Sequence, residues 1–537
     1  MWQGVAVPQT TAFPGRSRFV VLLALAVVLA LSLASVLVAP PARAATWSLT
    51  GSGGGTTTAT AGKTLSVRYL RSGKPVKGAA VTLQRKKGGS WVKVRTVRTG
   101  PKGRASTTVK PTATASYRFR TSHARSGTIT VRVVPVRFAI SGSGSGHGVG
   151  LAQWGAYQQS RTGRTAAQIL GYYYPGTTVS TANDPRTTLD VQVLGPPSDT
   201  RTTTVLGVGS GTWRLTDPAG KVLASGGASH TVKVGVGTGG VTATVMKGNA
   251  TVSKVSARSS LTYEWSGTRY YQPTGTKAVA TVTGAQGTYR NGRLVVTKRS
   301  NRPNVVNEVV INTEYLYGLD EMPSGWWSSA NRGAAALQAQ AVVARNYAIV
   351  EKVKGLKSVC GCHVYDDTRS QHYTGWKKQG GGWGGTWVAA VNATVQADDH
   401  TVTVLRDADG GFAETPYFAS TGGAGGRRGT ATNTEVFGTA ALPYLKHVTD
   451  TYSAKAPKNP YLGWSDSITQ ARARSIFGLS SVRSIAVTSR WSSGQVKTLT
   501  ATSATGKKVS RTKTADGWRT TLGVRASWVG SLSGRNS

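Results

Sequence analysis

Short runs of alternating polar and apolar residues, cut by glycine and proline turns, dominate this 537-residue chain. Successive side chains on a strand point to opposite faces, so each run offers one face to bury and one to wet. Runs this short reach stability only as packed sheets. Residues 46–135 contain LSVRYL, AAVTLQRK, SWVKVRTV, ASTTVK, SYRFRT and TITVRVV, separated by turns such as GKPVKG and GPKGR. That spacing predicts an all-β sandwich of Ig-like type. It carries no catalytic constellation and reads as a spacer or adhesion module.

Beyond it the pattern changes. A glycine run, SGSGSGHGVG, leads into a helical LAQWGAYQQS, and residues 186–300 form a second β-rich stretch that includes LDVQVLG, TWRLTD, HTVKVGVG and RLVVTKR. VVNEVVINTEYL is read as a strand over 305–316. LQAQAVVARNYAIVEKV is the clearest helix, with Leu337, Ala341, Ala344 and Ala348 on one face. Residues 465–528 hold one helix, TQARARSIFG, and the strands VRSIAVTSR, VKTLTATS and RTTLGVRAS. The expected architecture is α+β: an Ig-like β-sandwich at 46–135, a mixed, β-rich core with a few helices at 137–464, and an α/β extension of that core at 465–537.

Arg16 and Arg18 precede an apolar run from Phe19 to Val38, and Ala42-Arg43-Ala44 follows as a small-residue cleavage site. Residues 1–44 therefore read as a signal peptide, which makes the mature chain secreted or cell-wall associated. The run also approaches bilayer-spanning length, so an uncleaved N-terminal anchor is the alternative. The net charge is +44, and +41 without residues 1–44. Such a charge calls for an anionic partner. Its cations are scattered through strands (Arg85, Lys86, Lys87, Lys93, Arg95, Arg98) rather than gathered on a recognition helix, which favours anionic wall polymers over nucleic acid. With only Cys360 and Cys362, the chain is not a disulfide scaffold.

Glu321 stands out in a chain poor in acids. It lies beside Met322, Pro323, Trp326 and Trp327, where burial would raise its pKa and make it a general acid usable near neutrality. The plainer reading is a loop carboxylate paired with an arginine such as Arg345. Asp320, its neighbour, points the other way on an extended segment and is not paired with it.

Three blocks carry a resemblance: GHGVGLAQWGAYQQSRTGRTAAQILGYYYPGT at Gly146–Thr177, EYLYGLDEMPSGWW with ALQAQAVVARNYA at Glu314–Ala348, and YFASTGGAGGR with EVFGTAALPYLKHV at Tyr417–Val448. Together they resemble the stage II sporulation protein D family, also called the SpoIID/LytB or amidase-enhancer family. The resemblance covers roughly residues 137–528. It implies action on peptidoglycan glycan strands, with the sporulation member a lytic transglycosylase and its catalytic glutamate in the EMP block, at Glu321 here. One carboxylic acid suffices for that chemistry: it protonates the leaving oxygen and then, as carboxylate, takes the proton of the sugar's own 6-hydroxyl. The second family name implies the alternative, a non-catalytic enhancer that binds wall and activates an amidase partner. A purely adhesive protein would leave the three blocks unexplained.

The remaining site candidates each read two ways. His147, in its glycine cradle, is a donor to a sugar oxygen or a histidine bonding its own turn. Trp154 is a stacking platform or core, and Gln153 opens the same helix. Gln340 and Arg345 are orienters of Glu321 or substrate, or a solvated helix face. Ser420 and Thr421 line the cleft, with no nucleophile-elbow pattern around Ser420. Some members bind zinc in a segment like CDTTxCQVYxG. Here Tyr365–Tyr373 replaces the ligands, so no metal and no cofactor are expected. Cys360, Cys362, His363 and His372 remain a disfavoured, displaced alternative to a disulfide or free thiols. The GHGVG block also precedes the EMP block here, the reverse of the sporulation member. If one cleft survives that order, His147 and Glu321 face each other across it.

Overall fold

A computed structural model describes residues 44–59, 61–183, 187–398, 400–423 and 429–536. The apolar run, the cleavage site and the anchor alternative lie outside the described residues, apart from Ala44. Within them the chain is α+β and β-rich, with several sheets and few helices.

The first body is a sandwich. Trp47–Ser52, Lys63–Arg71, Lys74–Pro75 and Arg104–Val109 form one sheet. The other runs Gly55–Thr58, Ile129–Val134, Ala115–Arg120, Ala80–Lys87, Ser90–Arg98 in spatial order. The alternation read from sequence sorts cleanly. Leu65, Val67, Val81, Leu83, Tyr117, Phe119 and Val131 meet between the sheets, all nearly inaccessible to solvent. At about 25 cal/mol per Å2 of apolar surface removed from water, each such side chain contributes roughly 1.5–3 kcal/mol before entropy is charged against it.

The second body is built on two larger sheets. The seven-stranded one includes the hairpin Arg293–Arg299/Arg302–Val310 and the neighbouring strand Thr188–Leu194. Ser300 and Asn301 close that hairpin with φ of 45° and 56°, the left-handed pair that a two-residue turn needs to match strand twist. Residues 305–316 depart from the strand expected there. The strand stops at Val310 and Ile311–Tyr315 form a single π-helical turn. The cause is local: the Glu314 carboxylate folds back to accept from the Val310 N–H at 2.8 Å, giving the backbone an alternative to the ladder.

The helix Ala334–Val353 follows, as expected, but it is not amphipathic in the simple sense. Ala336, Leu337, Ala339, Val342, Val343, Ala344 and Ala348 are all buried, so the helix is enclosed on most sides, as a helix apolar nearly all round must be. Its small residues let helices Gln153–Arg161 and Gly384–Asn392 and strand Thr401–Arg406 approach closely.

The C-terminal segment closes on the chain just after the sandwich. Arg137–Gly142 lies between Trp464–Thr469 and Val529–Arg535 in one sheet, over a cluster of Phe138, Ile140, Phe477, Leu499 and Trp518. One expected element is corrected here. RTTLGVRAS was read as a strand, yet Ala515–Leu522 is a helix. Thr514 caps it through Gly517 N–H at 3.1 Å, and Gly523 ends it in the left-handed region, a start and stop signal pair that outweighs the β-branched threonines.

Candidate functional site

The glycine run now has a mechanical role. Gly146 and Gly150 have φ of 99° and 74°, and a Cβ on either would drive into Phe418 or the Pro416 carbonyl. Only glycine lets this loop lie against residues 416–420. Where the two meet they form one wall of a cleft of about 780 Å3. Glu321 and Gln153 line it on one side, Tyr347 and Glu351 come from the central helix, and Asp516, Arg519 and Arg525 come from the C-terminal segment. His147 and Glu321 line this same cleft.

Glu321 is held by two donors. The His372 N–H gives to Oε1 at 2.7 Å, and the Tyr417 hydroxyl also bonds the carboxylate. That hydroxyl accepts from Gln371 Nε2 at 3.0 Å, while Gln371 Oε1 accepts from Tyr315 at 2.9 Å. With its lone pair spent on Gln371, the Tyr417 proton is directed at Glu321. Burial nevertheless wins: it pushes the Glu321 carboxyl above the ordinary 4.5, against the two donors and His372, with Asp320 adding a smaller push upward. Asp320 itself turns to Lys378, whose Nζ lies 2.8 Å away and also donates to the Met322 carbonyl at 2.7 Å. This lysine, only 7 % exposed, ties down the segment on either side of Glu321.

His147 spends both ring nitrogens on protein. Nδ1 accepts from Val149 N–H at 3.1 Å and the other nitrogen bonds the Tyr417 carbonyl. Burial, with a smaller push from Arg519, holds its pKa down to about 4, against Asp516, so near neutrality it is an uncharged brace on the strand that carries Tyr417. The cleft meets its ring beside Phe418 and Phe437, at centroid distances of 5.8 and 5.2 Å.

Gln153 and Gln340 stand behind Glu321 as a pair. Gln153 Nε2 reaches the Glu321 carbonyl and Gln340 Oε1, both at 3.3 Å. Four expected substrate contacts are revised. Arg345 is fully buried and clamps Asn312, Thr403 and Thr394 at 2.7–2.9 Å. Five residues along a helix rotate it about 140° from Gln340, onto the opposite face. Ser420 and Thr421 are inaccessible, bonded to Asn459 and Asp450 at 3.0 and 2.9 Å. Trp154 packs edge-on against Trp326 at 5.0 Å and belongs to an aromatic cluster with Tyr157.

The zinc segment of the family does not fit this chain. Cys360 and Cys362 are joined by a disulfide and buried, which removes both thiolates. His363 bonds Asp190 and His372 bonds the Asp320 carbonyl. Among the described residues no group of three or more His, Cys, Asp or Glu is arranged for a metal. Residues 365–373 instead bring the His372 N–H to the Glu321 carboxylate and Gln371 to the Tyr417 hydroxyl. Sequence reasoning missed Gln371, Lys378 and Tyr417. Tyr417 carried a signal as the first residue of the third quoted block, and Gln371 as the match to the glutamine of the quoted zinc segment; Lys378 carried none.

Residues 299–402 match the SpoIID family, described as stage II sporulation protein. No curated protein matches the chain. Among solved structures, a C-terminal 282-residue fragment of intimin, in complex with the translocated intimin receptor (Tir) intimin-binding domain, is similar at 15 % identity. That likeness covers 41 % of this chain and 65 % of that one, with a TM-score of 0.13. The chain thus spans just under two thirds of the fragment, and a score so low carries no structural argument.

Proposed function

Residues 299–402 are a SpoIID-family domain, and on that premise we propose that the protein is an exported, peptidoglycan-directed enzyme that cleaves glycan strands as a lytic transglycosylase, with Glu321 as its catalytic residue. The observation that carries this reading is the double environment of one carboxyl in a cleft: burial raises its pKa above the ordinary value, while the His372 N–H and the Tyr417 hydroxyl meet its carboxylate. In the first half-reaction the Glu321 carboxylic acid protonates the glycosidic oxygen as the C1–O bond breaks. In the second, the 6-hydroxyl oxygen bonds to C1 and its proton returns to Glu321, so the acid is regenerated and no water is consumed. Burial favours the protonated acid, and the His372 N–H and Tyr417 O–H stabilise the carboxylate that stands between the two half-reactions.

No metal takes part in this scheme. His147 and Gln153 line the cleft and also brace the backbone of Tyr417 and Glu321, while Gln340 reaches Glu321 only through Gln153, so all three are positioning residues. The family's description supports a cell-wall role in sporulation. The purified protein, incubated with glycan strands stripped of peptides, should generate 1,6-anhydro ends, and the Glu321→Gln variant should not. If no such ends form, while the protein speeds the release of stem peptides from intact wall by an added amidase, the enhancer reading replaces this one.

A further inference from the structure

We propose that the outer face of the sandwich's five-stranded sheet binds a linear phosphodiester polyanion of the wall, a polyol-phosphate chain. Residues 46–134 contain eighteen lysines and arginines and no aspartate or glutamate. No cation in this body has an acidic partner within it, and none of the ion pairs among the described residues involves it. So dense a charge of one sign raises the energy of the folded sandwich by self-repulsion, a cost that a bound polyanion relieves.

The register places these cations together. Gln84 lies opposite both Lys93 and Arg118, Thr82 opposite Arg120, Ala80 opposite Arg98, and Lys86 opposite Trp91. All stand on the side away from Val81, Leu83 and Phe119, which fill the core. Outward residues on one strand are about 7 Å apart and neighbouring strands about 4.8 Å, so the face presents a grid of positive charge. Lys86, Lys93, Arg98 and Arg120 are exposed.

Arg118 is the exception. It lies over the Trp91 ring at 4.3 Å and gives its Nε–H to Gln84 at 2.8 Å. Its guanidinium therefore covers the one aromatic on this face. That favours a polymer without bases: single-stranded nucleic acid is held by open aromatic platforms, and the face of a five-stranded sheet is too broad to enter a duplex groove. The source of the polymer rests on the wall-directed reading of the cleft; the charge argument does not.

The test uses the full chain and its Lys86→Gln/Lys93→Gln/Arg98→Gln/Arg120→Gln variant. Retention on purified walls is measured against salt concentration, before and after acid removal of their phosphodiester polymers. Four lost phosphate contacts should reduce the slope of log affinity against log salt by about 3, and stripped walls should retain the wild-type chain no better than intact walls retain the variant. Equal retention on stripped and intact walls, an unchanged slope in the variant, or DNA outcompeting the polymer at equal phosphate would each overturn the proposal. Cleavage of soluble glycan, read on the same proteins, should be unaltered by the variant. A wild-type chain that binds walls but cuts nothing defeats the cleft reading and leaves this one standing.

Discussion

The sandwich and the cleft treat charge in opposite ways. The sandwich keeps eighteen cations at or near its surface with no acid to answer them, where water and salt screen each one. The cleft desolvates the Glu321 carboxyl and meets it with directed donors. One region exploits number and the other environment. The lesson is that net charge, the most conspicuous property of the chain, says little about where its chemistry lies.

The largest expected effect tests the cleft half of that contrast. Glu321→Gln should reduce anhydro-end formation by about 10^2–10^4-fold, the usual range for a positioned acid–base. The same variant should unfold no more easily, and its stability has a definite pH sign. A carboxyl whose folded pKa lies above the unfolded value binds more protons when folded, so it costs stability progressively as pH rises from about 4.5 through the folded value. Gln therefore matches the wild type in acid and melts higher near neutrality. A variant that melts lower at pH 7 than the wild type would mean Glu321 is a structural carboxylate.

Next in size is Arg345→Met. Its guanidinium donates to Asn312, Thr403 and Thr394, and removing it leaves buried acceptors unsatisfied at roughly 1–3 kcal/mol each. We expect about 3 kcal/mol lost from urea unfolding of the core, with the residual folded fraction still cleaving at a normal pH optimum. A shifted optimum with unchanged stability would return Arg345 to the site.

Tyr417→Phe is smaller and finer. It deletes one donor to the ionised carboxylate, so Glu321 should hold its proton to higher pH. The alkaline limb of kcat/KM, which reports loss of the acid, should move upward, with about a tenfold fall in kcat from the weaker acid and the less stabilised carboxylate it leaves. Movement of that limb downward would show that the tyrosine does not face the carboxylate.

These residues also show how far the sequence could be read. Strands were legible wherever burial alternates, as from Leu65 to Tyr69 and Val81 to Leu83, because period two survives in any sheet. Glu321 could be singled out from its aromatic company and its block, and it lines the cleft. Its partners could not be: His372 and Tyr417 stand 51 and 96 positions away, joined only by the fold, and no spacing rule connects them. Arg345 misled because it shares a helix with Gln340 but not a face. Ala515–Leu522 was hidden by its threonines, although Thr514 and Gly523 were the caps that would have revealed it. The π-turn at Ile311–Tyr315 has no periodicity of its own, and only the reach of Glu314 to Val310 explains it.

The smallest expected effect returns to the sandwich. If its charges act by number alone, Trp91→Ala should cost only the contact with Arg118, about 0.5–1 kcal/mol in sandwich stability for a cation–π pair at an exposed site. Arg118 keeps its bond to Gln84, so the face retains its positive charge and wall retention should hold within twofold. A large loss of retention from this one uncharged residue would mean the face recognises shape through an ordered aromatic. The sandwich would then resemble the cleft, with environment rather than number setting its affinity.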